Sequence, residues 1–425
     1  MIEQDRYTSL DAIRGVAVMG ILAMNIVAFA YPISFYFNPL ASGSASAADM
    51  ATWAFNFVLV DSKMRGMFSV LFGASTLLVM ERAAAGGRNP VTSHYARMFW
   101  LFLFGLVHFY LIWPGDILTL YAACGVLLYF FRNLSIRALL WWAAGFFLIS
   151  MLYLLSGWAM FLLYEAGSLP PDQQAGLAEA MTELAGKMGP ANARFAGEVA
   201  IYRGDAAAIY SERFGNLADM PFVQILQFSW ETLALMLIGM ALFKARMLTG
   251  EWAAARYARW AVRCFLIAVP PLVALVWYQA QAGYSVASVF GASFALSTPF
   301  DFVLTVGWAA LIMLAIKSWL SAGAVARLAA AGQMAFTNYL TTSIVMTTIF
   351  YGYGLGLFAV PSRPALYLFC FAMWAAMLLW SQPWLARFHY GPLEWLWRSL
   401  SRGPVPDASK KQAANLSIAR HSQIR

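Results

Sequence analysis

The run GLVHFYLIWPGDILTLY, starting at Gly105, holds one histidine, His108, and one aspartate, Asp116. The surrounding chain from Met98 to Phe131 contains no lysine, arginine or glutamate. An ionisable side chain at the centre of a membrane helix is unfavourable by about 2.5–3.5 kcal/mol on insertion scales, so such residues mark functional candidates. Pro114 and Gly115 place a tight turn between the two, which brings them to similar depth. A carboxylate that orients an imidazole is the arrangement of a general base. The plainer alternative keeps His108 as a satisfied core residue and Asp116 as the N-cap of the helix that follows.

Other polar groups sit where hydrocarbon is expected. In SLDAIRGVAVMGILAMN, Asp11 and Arg14 are three residues apart and share a helix face, and Asn25 lies about three turns further along. In DSKMRGMFSVLFG, Lys63 and Arg65 follow Asp61. These cations either reach for lipid headgroups or grip an anionic group on a substrate. Gln224, Gln227 and Glu231 draw a polar stripe at helical spacing, which predicts the lining of a wet cavity, and Asp301 either joins it or caps its own helix. The stretch GQMAFTNYLTTSIVM is rich in hydroxyls and amides, among them Asn338 and Tyr339. Such groups mostly tie helices together in lipid, with Asn338 the expected exception, while the buried amide of Asn25 demands partners.

These residues have to be positioned by helices in lipid. Of 425 residues, 61% are hydrophobic and 11% charged, far below the roughly 25% charged residues of a soluble domain. The expected fold is an all-α, polytopic transmembrane bundle forming a single domain over 1–403. Taking about 20 apolar residues per crossing, the spans fall near 14–33, 64–81, 98–114, 116–131, 138–163, 222–243, 260–280, 299–317, 333–352 and 365–386. The stretch 281–298 reads as a loop, a re-entrant piece or the start of the eighth span. Arginine and lysine gather at both ends of the chain and in every second gap, which places both termini in the cytoplasm. The long gap 164–221 predicts two or three short helices lying outside, as a lid. Residues 387–403 read as an interfacial helix, and 404–425 as a disordered tail.

The net charge of +8 is spread through loops as the positive-inside rule requires, so nucleic acid is not an expected partner. Cys124, Cys264 and Cys370 are scattered in apolar segments, and no metal, Walker or dinucleotide motif occurs. No cleavable signal peptide is visible at the start. There is no internal repeat of the kind many transporters carry.

The blocks RYTSLDAIRGVAVMGILAMNI, KMRGMFSVLFG, GLVHFYLIWPGDILTLYAACG, GQMAFTNYLTTSIVMTTIFYGYGLGLF and FHYGPLEWLWRSL occur in that order. With them the chain resembles the bacterial YeiB family, known by a domain of unknown function numbered 418. Where a family member can read FRSLFS, this chain has MRGMFS, so Gly66 offers no hydroxyl. The LDxxRG opening is also similar to that of the acyltransferase-3 enzymes and of the lysosomal heparan-α-glucosaminide acetyltransferase. That resemblance implies acyl-CoA as co-substrate, a central histidine, and an acceptor outside the membrane. It implies His108 as the transfer base, Asn25 and Asp116 as its companions, and Asp11 and Arg14 at the donor phosphates.

The sequence therefore predicts an acyltransferase of the bacterial inner membrane. Catalysis is expected at His108, Asp116 and Asn25, with acceptor binding at Lys63, Arg65, Gln227, Glu231, Asn338 and Tyr339. The expected partners are membrane lipids, a glycan, lipid or small-molecule acceptor, and a second copy in a homodimer. No metal is expected. A transporter with a proton-coupled polar pathway is the alternative, and a purely structural protein leaves the 224–231 stripe without a purpose.

Overall fold

The computed structural model describes residues 7–191 and 193–402. Regular structure among them is entirely helical, with no β-strand. The chain opens with α1 (Thr8–Ala30), a five-residue α2 (Ile33–Phe37) and α3 (Ala47–Phe55), which runs into a π-helical turn at Asn56–Val60. Next come α4 (Lys63–Ala85), α5 (Pro90–Val107) with a second π turn at His108–Ile112, α6 (Leu118–Phe131) and α7 (Ile136–Glu165). The long gap folds as α8 (Pro171–Met188), α9 (Phe195–Arg203) and α10 (Ala206–Phe214). The remainder is α11 (Met220–Lys244), α12 (Ala254–Gln281), α13 (Val286–Phe290) with a third π turn at Gly291–Leu296, α14 (Thr298–Ser318), α15 (Ala322–Gln333), α16 (Ala335–Phe350), α17 (Arg363–Arg387) and α18 (Pro392–Arg402). The stretch after α12 is thus a short helical segment of its own. The tail expected at 404–425 lies outside the described residues.

Local chemistry sets several of the boundaries. Asn89 caps α5 by accepting from Val91 N at 2.9 Å, with Pro90 in the first turn, where its missing N–H is harmless. Ser135, Asp205 and Ser321 cap α7, α10 and α15 in the same way.

Eight helical segments are long and apolar enough to cross a membrane. The sequence predicts ten. The other two expected spans are shorter helices, α6 with 14 residues and α16 with 16. At 1.5 Å per residue, α6 rises only about 21 Å against about 30 Å of hydrocarbon. The ninth span begins where expected and is preceded by a separate helix, because Met334 leaves the helix (φ −105°, ψ 26°) between α15 and α16. Large apolar side chains such as Trp141, Leu152, Leu266 and Leu368 are exposed along α7, α12 and α17. That is the surface of a membrane protein whose outer wall meets lipid.

α1 is the most buried of the eight. Its fit against α15 depends on two glycines: a Cβ at Gly15 would stand 2.1 Å from Leu328 O, and one at Gly332 would stand 1.8 Å from Asp11 O. Without a hydrophobic force between helices in lipid, such close backbone approach is the main source of packing energy.

The break at Met334 is covered from α18. Met334 offers α16 no side-chain cap, and the Glu394 carboxylate supplies one by accepting from Phe336 N at 2.8 Å, Thr337 N at 3.0 Å and Thr337 Oγ1 at 2.5 Å. Burial pushes the Glu394 carboxyl above the usual glutamate range, while the hydrogen bonds from Thr337 and Phe336 pull it down. Trp397 fixes the same helix to α5 by donating to Arg97 O at 3.0 Å.

Candidate active site

The π turn after α5 leaves the ordinary helical register at His108, whose carbonyl accepts from Trp113 N at 2.7 Å. Such turns widen the helix and re-aim one side chain. The imidazole is fully buried, and its Nδ1 stands 2.8 Å from Asp116 Oδ1. The second oxygen, Asp116 Oδ2, accepts from Thr119 N and Thr119 Oγ1, each at 2.9 Å. Asp116 therefore caps the start of α6 and orients the histidine at once, so the two roles considered for it do not compete. Gly105 makes the approach possible, because a Cβ there would lie 2.9 Å from Asp116 Oδ2 and 2.5 Å from Thr119 N.

An ionised carboxylate only accepts hydrogen bonds, so the proton of the neutral ring belongs on Nδ1. That leaves Nε2 with its lone pair free. Among the described residues Nε2 has no hydrogen-bond partner. The nearest rings are Tyr339 at 5.1 Å and Trp113 at 6.2 Å between centroids.

Asp116 also lines a cavity of about 200 Å³ at the same end of the bundle. The starts of α4 and α14, the first half of α11 and the third π turn form much of its wall, with α1, α2, α3, the first π turn and the start of α6 contributing the remainder. Lys63 and Arg65 both line it, but neither stands free to hold an anion. Lys63 Nζ pairs with Asp301 Oδ1 at 2.7 Å and donates to Phe57 O at 2.5 Å. Arg65 Nη2 pairs with Glu231 Oε1 at 2.7 Å. The expected grip on a substrate's anionic group is corrected accordingly: a buried cation needs a counter-charge, and the protein supplies both. Asp301 joins the cavity through Lys63, and Glu231 through Arg65.

The remaining candidates scatter. Gln224 and Glu231 line the cavity, whereas Gln227, between them in sequence, is exposed on another side of α11. Asn25 lies with Tyr339 on a second, much smaller cavity of about 10 Å³; His108 lines neither cavity and touches them only through Asp116 on the larger and the Tyr339 ring on the smaller. Asn338 lies elsewhere: its Nδ2 donates to Ala331 O and Ser381 Oγ, and its Oδ1 accepts from Trp380 Nε1. That amide holds α15, α16 and α17 together, the gluing role that hydroxyls and amides commonly play in lipid. Asp11 and Arg14 pair at 2.8 Å, and Arg14 also reaches Ser75 Oγ at 2.7 Å. A Cβ at position 66 would meet Thr305 Oγ1 at 2.5 Å, so a serine there requires the Thr305 side chain to move.

Among the described residues no group of three or more His, Cys, Asp or Glu side chains converges as metal ligands would. The sequence reading missed the aromatic wall of the cavity, which includes Tyr36, Trp53 and Phe57. Those residues fall between the expected spans and carry no periodic signal. It also missed Arg213 and Arg363, both almost fully buried, because a lone arginine in a polar loop gives no hint of burial.

Comparison with known proteins agrees with the order of the sequence blocks. A family model described as "Protein of unknown function (DUF418)" matches residues 242–404. The chain is 32% identical over 412 residues to "Uncharacterized protein YeiB" of Escherichia coli (strain K12), covering 96% of this chain and 99% of that protein. It is also 32% identical over 440 residues to "Uncharacterized protein YxaH" of Bacillus subtilis (strain 168), covering 96% and 98%. The chain belongs to the YeiB (DUF418) family. The match to the family model takes in Asp301, Tyr339 and Glu394, and the full-length relatives extend the YeiB likeness across the His108–Asp116 hairpin as well.

Proposed function

We propose that this YeiB-family protein is a multi-pass acyltransferase of the bacterial inner membrane. It takes an acyl group from a CoA thioester on the cytoplasmic side and passes it to an acceptor in the 200 Å³ cavity. The carrying observation is the buried dyad, with Nδ1 held by Asp116 and Nε2 unpartnered. A histidine fixed in that tautomer is a ready base. The acceptor's O–H or N–H gives its proton to His108 Nε2 as the new acyl bond forms and the thioester C–S bond breaks. The same proton then goes to the departing thiolate, leaving free CoA thiol. Asn25, which shares the small second cavity with Tyr339, would donate to the developing oxyanion. Arg14, towards the opposite end of α1 and oriented by Asp11 and Ser75, would exchange part of that pairing for the donor's phosphates. The α8–α10 segment covers the outer end, and both termini face the cytoplasm.

A carrier with a proton-coupled pathway is the second reading, and one observation favours it. The ion pairs Lys63–Asp301 and Arg65–Glu231 tie α4 to two different helices, as exchangeable gates do. The test is transfer of label from radiolabelled acetyl-CoA into acceptors in reconstituted vesicles. His108→Ala should lower the rate by at least about 10² while its chromatographic profile and yield stay unchanged. Equal rates in the two proteins would overturn the assignment, and ligand uptake without any acyl donor would favour the carrier.

A further inference from the structure

Several hydrogen-bond donors of the cavity wall are already committed within the protein. Lys63 has committed its ammonium to Asp301 and Phe57 O, and Arg65 has given Nη2 to Glu231. Ser297 Oγ donates to Ser293 O, Thr298 Oγ1 to Phe294 O, and Trp53 Nε1 to Phe37 O. Those two hydroxyls consequently present lone pairs to the cavity.

The wall is also rich in acids. Four carboxylates line it, on Asp61, Asp116, Glu231 and Asp301, against the two cations Lys63 and Arg65. Arg363 lies behind Asp61 and is a third positive neighbour, yet its Nη2 is given to Phe35 O. Counting Arg363, acids still outnumber bases by one. With Asp301 and Glu231 paired and Asp116 beside His108, the acid without an ion pair at contact distance among the described residues is Asp61, whose positive neighbours are Lys63 and Arg363. Its Oδ1 is buried with no hydrogen-bond partner among the described residues, and its hydrogen-bonding neighbour is the Tyr36 hydroxyl.

Aromatic rings complete the wall. Phe57 and Phe228 already face the protein's own cations, Lys63 at 5.5 Å and Arg65 at 5.9 Å. Tyr36, Phe37, Trp53 and Phe294 supply further rings. A buried carboxyl oxygen without a hydrogen-bond partner and a wall of aromatic faces favour one kind of visitor, an ammonium that brings its own N–H donors.

We infer that the cavity binds a small, amine-bearing cation whose N–H groups reach Asp61, and that it rejects anions. The inference rests on the cavity being the acceptor site, but it concerns binding alone and needs no acyl donor. A carboxylate or phosphate entering here would meet the acidic wall with no free cation to receive it, which is discrimination by repulsion.

The test uses the full-length protein in nanodiscs and three ligands on one ring: trans-4-aminocyclohexanol, cyclohexane-1,4-diol and 4-hydroxycyclohexanecarboxylate. Affinities are read by ligand-dependent thermal stabilisation without acetyl-CoA. The amine should bind about tenfold more tightly than the diol, a gap that one charged contact readily supplies, and the carboxylate more weakly still. Asp61→Asn should bring amine and diol to within about threefold of each other. Should that variant fail to fold, the half-buried Gln224→Arg change adds a cation at the same wall and should turn the preference towards the carboxylate. The proposal fails if the carboxylate binds the native protein as tightly as the amine, if none of the three stabilises it, or if neither variant alters the ranking. His108→Ala should keep the native ranking, so loss of transfer and loss of amine selectivity are read separately.

Discussion

At the scale of single residues the site is built from paired charges. Lys63 is 1% exposed and sits between Asp301 and Phe57 O, so its ammonium has exchanged water for one carboxylate and one carbonyl. Removing one member of such a pair strands the other. Lys63→Met should lower stability by about 3–5 kcal/mol, whereas Lys63→Met with Asp301→Leu should recover most of the loss. Thermal unfolding of the single and double variants checks this, and additive losses would show that the two groups are not coupled. The charges themselves were legible, because Lys63, Arg65, Glu231 and Asp301 stand out in apolar sequence. Their partners were not. Sequence spacing relates residues on one helix, while each pair joins different helices: α4 to α14 and α4 to α11. The anion grip expected of Lys63 and Arg65 came from reading them without those partners.

At the scale of elements, two devices position the dyad: close glycine contacts and a borrowed cap. Gly332→Val should push α15 off α1, since even a Cβ there lies 1.8 Å from Asp11 O. The expected loss is about 1–3 kcal/mol, with a lower folded yield after detergent extraction and no change in transcript. Glu394 caps α16 from a helix 57 residues further along the chain than Thr337. Glu394→Ala leaves the N–H groups of Phe336 and Thr337 without an acceptor and should lower stability by about 1–3 kcal/mol. Glu394→Gln, which keeps an acceptor oxygen, should lose less, and equal melting temperatures for the two variants would deny the cap its role. The long helices were readable from hydrophobic runs, and α18 from its tryptophans. α15 was not, because its sequence lies in the basic gap ahead of the expected ninth span, where the turn at Met334 reads only as that span's start. The three π turns were equally invisible, since a π turn differs from an α turn by one residue of register rather than by composition.

At the scale of the whole molecule, eight long apolar segments and two shorter helices form one bundle, and the proposed function needs its two ends to face different compartments. Impermeant maleimide labelling of single-cysteine variants tests that orientation. The native Cys124, Cys264 and Cys370 are buried, and Glu179 and Arg88 are exposed at positions that the proposed orientation sets on opposite sides. Glu179→Cys on α8 should label in intact cells, and Arg88→Cys, between α4 and α5, only after the membrane is opened. The reverse pattern would invert the bundle and put the cavity on the cytoplasmic side. Within that frame everything chemical depends on which ring nitrogen of His108 carries the proton. The most direct measurement is nitrogen NMR on protein labelled with ¹⁵N-histidine, with the His108 signals assigned by their loss in His108→Gln. The account predicts a protonated Nδ1 and a bare Nε2 in the neutral ring, with that preference lost in Asp116→Asn. A proton found on Nε2 of the native protein would contradict it.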